Sequence, residues 1–136
     1  MSEKSAEEFA KEFHDSDLLR FKWRILKYMC ETSDKYETFP ETELFFRTDL
    51  KDYIDEKYQQ DFLHGESGTL YKLLMDRIMS CLINRKAVEV FGSYAYNYSE
   101  ITIYKKTQTL KDRCEEFKKV EMGDSSLLDK YLPKIL

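Results

Sequence analysis

The fold of this chain is constrained most strongly by an alternation of apolar and polar residues on both sides of Asn97. The two alternating stretches are KAVEVFGSYAY and SEITIYKK. A period of two residues is typical of a strand with one buried face, and asparagine is common in tight turns. The sequence therefore predicts an antiparallel hairpin with its turn at Asn97.

The register of this hairpin divides its tyrosines between two roles. With the turn at residues 97–98, Tyr94 pairs opposite Ile101 and shares a face with Val88 and Val90. We therefore expect Tyr94 to pack in the core at the base of the hairpin. No core can cover the tip, where exposed aromatic rings suit contact with nucleic acid or with a protein partner. The tyrosines near the tip are Tyr96 and Tyr98.

Amphipathic helices are predicted on both sides of the hairpin. Apolar residues recur three and four positions apart, and Ser, Thr or Asp stands at several helix starts. Residues 33–40 are expected to form a loop, and residues 42–46 a brief extended segment. The predicted helices cover residues 6–14, 18–31, 49–58, 69–85 and 109–120, the last of them capped by Thr109.

This order of elements favours a mainly α fold with a small β-hairpin. Three helices closed by a hairpin is the winged helix-turn-helix plan, which is the simplest way to bury these amphipathic faces in one core. We expect residues 1–16 to form an N-terminal arm and residues 17–106 the winged helix-turn-helix domain. Residues 107–136 then form an extra helix and tail suited to dimerisation.

Composition favours long elements and argues against a membrane protein. Only four glycines and two prolines occur in 136 residues, so few tight turns are expected. No apolar run approaches the length of a membrane span, and the charged start MSEKSAEEFAKEF is unlike a signal peptide. The sequence therefore predicts a cytoplasmic protein without membrane contact.

Residue types that carry catalysis or bind metals lack the necessary spacing. Cys30, Cys81 and Cys114 lie far apart without a CxxC motif, so we expect buried small hydrophobic residues and not zinc ligands. His14 and His64 stand in separate elements, and neither lies in a nucleophile motif. No phosphate-binding glycine loop occurs. We therefore predict no enzyme activity, no cofactor and no metal.

Charge is distributed unevenly along the chain, although the net value is only −4. Residues 33–66 contain ten acidic and four basic residues, whereas residues 67–106 contain three acidic and six basic residues. Basic residues suit phosphate contact, and an acidic block near DNA opposes it. The acidic block must therefore face away from DNA or serve as a surface for a protein partner.

One segment resembles the recognition helix of winged-helix transcription regulators. It is SGTLYKLLMDRIMSCLINR, residues 67–85. Its GTLY start, the following LL and the LI before the hairpin match the outline of PadR-type regulators, and LLMDRI resembles part of MarR-type helices. Cys81 stands where the family has a helix-ending glycine, so the turn into the hairpin is expected to differ.

The resemblance implies that the start of this helix enters the major groove of double-stranded DNA, with the hairpin on the backbone or in the minor groove. Hydroxyl and lysine side chains there suit base edges or phosphates. For Tyr71 the alternative is core packing, and for the cations it is a solvated helix face. The predicted DNA-binding residues are Ser67, Thr69, Tyr71, Lys72, Arg77, Arg85, Lys86, Tyr96, Tyr98, Lys105 and Lys106.

Two functions follow from these observations. The first is sequence-specific binding of double-stranded DNA by a transcription regulator. Such a regulator is expected to act as a homodimer through residues 109–120, with the N-terminal helix as a second candidate contact, which places two recognition helices about one DNA turn apart. The alternative is a winged-helix protein–protein interaction module within a transcription or replication assembly, with the partner at the acidic surface.

Overall fold

The chain forms a mostly helical structure with one small antiparallel sheet. We describe it from a computed structural model, which covers residues 6–13, 15–32, 37–50, 52, 67–96, 99–119, 128 and 130–132. The predicted class, mainly α with a small β-hairpin, is confirmed. The elements in chain order are α1 (Ala6–Glu12), α2 (Asp15–Glu31), β1 (Thr38–Pro40), α3 (Glu41–Arg47), α4 (Ser67–Asn84), β2 (Val88–Tyr96), β3 (Ser99–Lys106), α5 (Gln108–Lys111) and α6 (Cys114–Lys119).

Helices α2 and α4 form where the sequence has its clearest apolar periodicity. Leu18, Phe21 and Ile25 on α2 are fully buried, as are Leu74 and Ile78 on α4. Full burial of one such side chain contributes about 1.5 to 3 kcal/mol, so these faces hold the two helices in one core. No helix in the described ranges is long and apolar enough to cross a bilayer.

Strand β1 lies where the sequence predicted part of a loop at residues 33–40. It pairs antiparallel with β3 and places Phe39 opposite Tyr104, and both side chains are buried. The sheet order is β1-β3-β2, so the predicted hairpin gains a third strand. Three residues are too few to form a strand alone, and this one is stabilised by its pairing with β3 and by the burial of Phe39.

Helix α3 replaces the extended segment predicted at residues 42–46, and that prediction is wrong. The helix begins at Glu41, and acidic residues in its first turn stabilise its positive N-terminal end. Its buried face packs on the sheet. Of the next predicted helix, at residues 49–58, Leu50 and Asp52 have helical backbone, and the remainder lies largely outside the described residues.

The end of α4 shows how the chain enters the hairpin without the expected glycine. The helix continues past Cys81. Lys86 then adopts φ of 61°, and its N–H donates to the carbonyl oxygen of Ile83 at 2.9 Å. The next N–H, of Ala87, donates to the carbonyl oxygen of Leu82 at 3.0 Å. These two bonds form a Schellman motif in which lysine occupies the left-handed position that glycine usually takes.

The C-terminal segment is two short helices and not the single helix predicted at residues 109–120. The cap of α5 is Thr107, whose Oγ1 accepts a hydrogen bond from the N–H of Leu110 at 3.2 Å, so the prediction of Thr109 as the cap is wrong. Leu110 and Phe117 are buried within the chain itself. A dimer through this segment stays a prediction, and it would have to use the remaining exposed side chains.

Two of the three cysteines form a disulfide, and the prediction that all three are separate buried thiols is wrong for them. Cys30 at the end of α2 bonds Cys114 at the start of α6, with Cα atoms 5.0 Å apart. Cys81 is a free, half-buried thiol on α4. The bond joins positions 84 residues apart, a separation at which sequence alone gives no pairing signal.

Candidate interaction surface

Lys72, predicted to contact DNA, lies in an ion-pair cluster within the fold. Its Nζ is 2.9 and 2.8 Å from the two carboxylate oxygens of Glu41 and 3.3 Å from Oδ1 of Asp76. The backbone N–H of Thr102 donates to Oε1 of Glu41 at 3.0 Å. Glu41 is only 5% exposed, so the cluster joins the start of α3 to α4 and β3 around a buried carboxylate.

The pKa of Lys72 reflects this position. Partial burial lowers the pKa, but the hydrogen bond to Glu41 and the negative charges of Glu41 and Asp76 outweigh burial and raise it above its usual value. Lys72 is therefore protonated at neutral pH. Moving its ammonium group to a phosphate would leave the buried Glu41 carboxylate without its cation, which is unfavourable.

Two further residues of α4 that were predicted to bind DNA contact other parts of the chain. Tyr71 is half-buried, and its ring packs on Phe45 with centroids 4.6 Å apart. This is the core packing that the sequence left open as the alternative. Nη1 of Arg77 donates to the carbonyl oxygen of Ala10 at 3.0 Å, near the end of α1. The other two predicted DNA-binding residues of α4, Ser67 and Thr69, have side chains outside the described part.

The predicted cations around the hairpin base occupy different environments. Lys106 is only 3% exposed, and its Nζ lies 5.8 Å from the centroid of the Phe39 ring. Arg85 is half-buried in the turn after α4, and Lys86 in the same turn is exposed. Because Lys106 is buried beside Phe39 while Lys86 faces solvent, these side chains do not form one accessible basic face.

Acidic residues of the 33–66 block pair with cations from other segments. Glu37 lies 2.7 Å from Nζ of Lys111 and 3.9 Å from Nζ of Lys105. The hydrogen bond and charge of Lys111 lower the pKa of Glu37. Asp49 lies 3.6 Å from Nη1 of Arg24. Within the described ranges, the fold thus pairs acidic residues of one segment with basic residues of others.

A β-bulge decides which face of the hairpin each tyrosine occupies. Tyr94 pairs with Ile101, as predicted. The register shifts between Val90 and Gly92, however, which leaves Phe91 as an extra residue on β2. One extra residue moves every later side chain to the opposite face. Tyr94 consequently does not share the face of Val90; it is 43% exposed, and its prediction as a core residue is wrong.

Strand β2 carries most of the large hydrophobic side chains that are exposed in the described ranges. They number five, of which four lie on this strand and the fifth is Phe46 on α3. Because β2 is at the edge of the sheet, solvent reaches most of its length, although Val88 at its start is buried. The four exposed side chains project from both faces of the strand, and we call them together the β2 surface: Val90 (56% exposed), Phe91 (61%), Tyr94 (43%) and Tyr96 (63%).

The sequence prediction included Tyr96 in a binding role but missed the rest of the β2 surface. Gly92 was the available signal, because an isolated glycine in a strand pattern often marks a bulge. Tyr98, the other tip tyrosine, lies outside the described residues.

Metal binding finds no support in the described ranges, where no three His, Cys, Asp or Glu side chains are grouped to hold an ion. The chain was also compared with known proteins. It matches no family model, no curated protein and no solved structure.

Proposed function

We propose that the chain is a winged-helix module that binds a protein partner through the β2 surface. The order helix, strand, helix, helix, hairpin supports the winged helix-turn-helix plan, as does the pairing of β1 with β3. In this plan α4 takes the position of the recognition helix and the β2–β3 hairpin that of the wing.

The observation that carries the proposal is the concentration of exposed hydrophobic side chains on one edge strand. Exposed apolar area costs about 25 cal/mol per Å², and a partner that covers it recovers this free energy. Large aromatic side chains are also the residues that most often dominate binding energy at protein interfaces. Phe91, Tyr94 and Tyr96 supply three such rings within six positions of β2.

The charges along the hairpin do not add up to one sign beside the tyrosines. Glu89 is exposed but pairs opposite Lys105. Glu100 pairs opposite Ala95 and accepts a hydrogen bond from Oγ of Ser93 at 2.7 Å, on the face opposite that of Tyr94 and Tyr96. The fitting partner is therefore defined by an apolar strip that covers the aromatic rings.

The test is to identify proteins crosslinked to the chain in its source cells and to reconstitute each complex from purified components. The double variant Tyr94→Ser/Tyr96→Ser should raise the dissociation constant about tenfold or more, which corresponds to a loss of roughly 1.4 kcal/mol of binding free energy. Phe46→Ser is the matched control, because it removes the exposed ring outside β2. A reconstituted complex that is insensitive to the double variant would overturn the proposal.

Binding of double-stranded DNA is the second candidate, favoured by the same element order and by exposed Lys86 in the turn before the hairpin. Titration with mixed-sequence duplex at about 50 and 200 mM salt separates the two candidates, since phosphate contacts weaken steeply with salt. The protein-binding proposal expects no salt-sensitive binding. Binding that falls with salt and with Lys86→Glu would favour the DNA-binding regulator instead.

A further inference from the structure

The Cys30–Cys114 disulfide lies beside a cleft and is not sealed in the core. Cys30 is 4% exposed, whereas Cys114, at the start of α6, is half-buried. A cleft of about 340 Å³ is lined by both cysteines. The disulfide can therefore be reached from solvent on the side of Cys114.

The other residues of the cleft are all charged. Two ion pairs cross or border it: Nζ of Lys111 lies 2.7 Å from Glu37, and Nζ of Lys118 lies 3.4 Å from Glu115. Lys106, which is 3% exposed, also lines the cleft, so its lining residues include three lysines and two glutamates. Neighbouring cations favour the thiolate form of a cysteine, which is the form that attacks and leaves in disulfide exchange.

We propose that Cys30–Cys114 is a thiol–disulfide exchange site that a small thiol reaches through this cleft in the folded protein, and that its reduction releases α6 from α2. The inference is independent of the β2 surface and of any partner bound there.

The exchange proceeds in two balanced steps. A thiolate of the small thiol attacks Sγ of Cys114, the bond to Sγ of Cys30 breaks, and Cys30 leaves as a thiolate. A second small thiolate then attacks the small-thiol sulfur of this mixed disulfide, which releases Cys114 as a thiolate. The small thiol leaves as its own disulfide, so two electrons pass to the protein. The two cysteines take up the protons that the two small thiols lost.

The consequence of reduction follows from how α6 is held. This helix has six residues, too few to be stable without packing. Besides the disulfide, Phe117 packs this helix on α2, where its ring lies 5.3 Å from that of Trp23. The ring of Tyr131 packs on Phe117 from the C-terminal side, at 5.5 Å. Loss of the covalent link therefore loosens this end of the chain and changes the surroundings of Trp23.

The first experiment measures reduction of the oxidised protein by 2-mercaptoethanol without denaturant, in a Cys81→Ser background that removes the third thiol. Maleimide tagging should show a rate that rises linearly with thiol concentration and exceeds the global unfolding rate about tenfold or more. The trapped mixed disulfide should lie on Cys114. A rate that saturates at the unfolding rate, or an adduct on Cys30, would overturn the proposal.

A charge reversal tests the cleft itself. Lys118→Glu places a negative charge at the cleft and should slow the exchange about threefold or more. Lys119→Glu is the matched control, because Lys119 is exposed on the same helix but does not line the cleft. Equal rates for the two variants would contradict a route through the cleft.

Release of α6 is read from fluorescence, because Trp23 is the only tryptophan of the chain. Complete reduction should shift its emission to longer wavelength while the far-ultraviolet circular dichroism stays that of a folded protein. The shift is measured on the same Cys81→Ser protein, so it does not depend on a variant that lacks the disulfide. Unchanged emission after complete reduction would refute the release of α6.

Discussion

The sheet places tyrosines in two opposite environments. Tyr104 on β3 is 3% exposed and pairs opposite the buried Phe39 of β1, whereas Tyr94 on the neighbouring strand is 43% exposed. Tyr94 pairs opposite Ile101, which is three positions from Tyr104 on β3, so the two tyrosines lie on opposite faces of the sheet. The comparison teaches that strand register, and not residue type, determines which aromatic side chain stabilises the fold and which one is available for binding.

The inner face also contains the polar cluster of the fold. Thr102 is two residues from Tyr104 on β3 and therefore lies on the same face, and its N–H donates to the buried carboxylate of Glu41. Lys72 neutralises this carboxylate from α4. The inner face thus fixes α3 and α4 on the sheet with apolar and charged contacts, and we expect it to dominate stability over the outer face.

The largest difference is expected between two phenylalanines of the sheet. Phe39→Ala removes a fully buried ring and should lower the free energy of unfolding by about 3 to 5 kcal/mol. Phe91→Ala, at a position 61% exposed, should change it by less than about 1 kcal/mol. Urea unfolding of both variants measures the two values. Comparable losses would abolish the distinction between the faces.

Alkaline titration should reveal the environment of Tyr104. Burial, and then the negative charge of Glu41, raises its pKa from 10.0 to about 12. The unfolded chain loses this proton first, so the stabilisation is complete below pH 10 and is lost as pH rises through 12. At 1.36 kcal/mol per pKa unit, the free energy of unfolding should fall by roughly 2 to 3 kcal/mol. Urea unfolding of wild type and of Tyr104→Phe between pH 10 and 12 measures this loss. If the free energies of the two proteins fall in parallel with pH, the prediction is contradicted.

The Lys72–Glu41 pair should contribute less, because the Lys72 side chain is 40% exposed. Lys72→Met leaves the Glu41 carboxylate buried with one fewer donor and should cost about 1 to 2 kcal/mol after allowance for solvent screening. The raised pKa of Lys72 means that the pair contributes fully below pH 10.5 and is lost as pH rises through the folded-state pKa.

The control for this pair is the double variant Lys72→Met/Glu41→Gln. It should recover part of the loss, since it removes the unpaired buried charge. Urea unfolding at neutral pH gives both values. If the double variant loses more free energy of unfolding than the two single variants lose together, the unpaired charge on Glu41 is not the cause of the loss in Lys72→Met.

The smallest effect on stability is expected for Tyr94→Ser/Tyr96→Ser on the outer face. Both side chains are exposed, so the free energy of unfolding should change by no more than about 0.5 kcal/mol per residue. Thermal unfolding measures this change directly. A larger loss would mean that the outer tyrosines serve the fold, and it would remove the basis for assigning them to a partner.

The sequence was most informative where a periodic pattern is long. Helix α4, predicted from residue 69, runs from Ser67 to Asn84, and the hairpin pairs Tyr94 with Ile101 as expected. Local spacing was enough for these elements because each one forms from residues close together in the chain. Strand β1 and helix α3 were not predicted, since three and seven residues leave almost no periodicity.

The candidate site was less accessible to prediction than the fold. Exposure of Tyr96 followed from its place near the turn. The roles of Tyr94 and Lys72 could not be predicted in this way. The face of Tyr94 depended on a single inserted residue, and the partner of Lys72 is a carboxylate 31 positions away. A side chain's partner across such a distance is set by packing, which no local pattern records.

By itself the sequence determined the class of the fold, its two long helices and the position of its hairpin, since these depend on neighbours along the chain. Only the tertiary structure decided the bulge that turns Tyr94 away from the face of Val90, the pairing of acidic with basic residues, and the bond between Cys30 and Cys114. Each of these depends on groups far apart in sequence, and their meeting is set by how the helices and the sheet pack together.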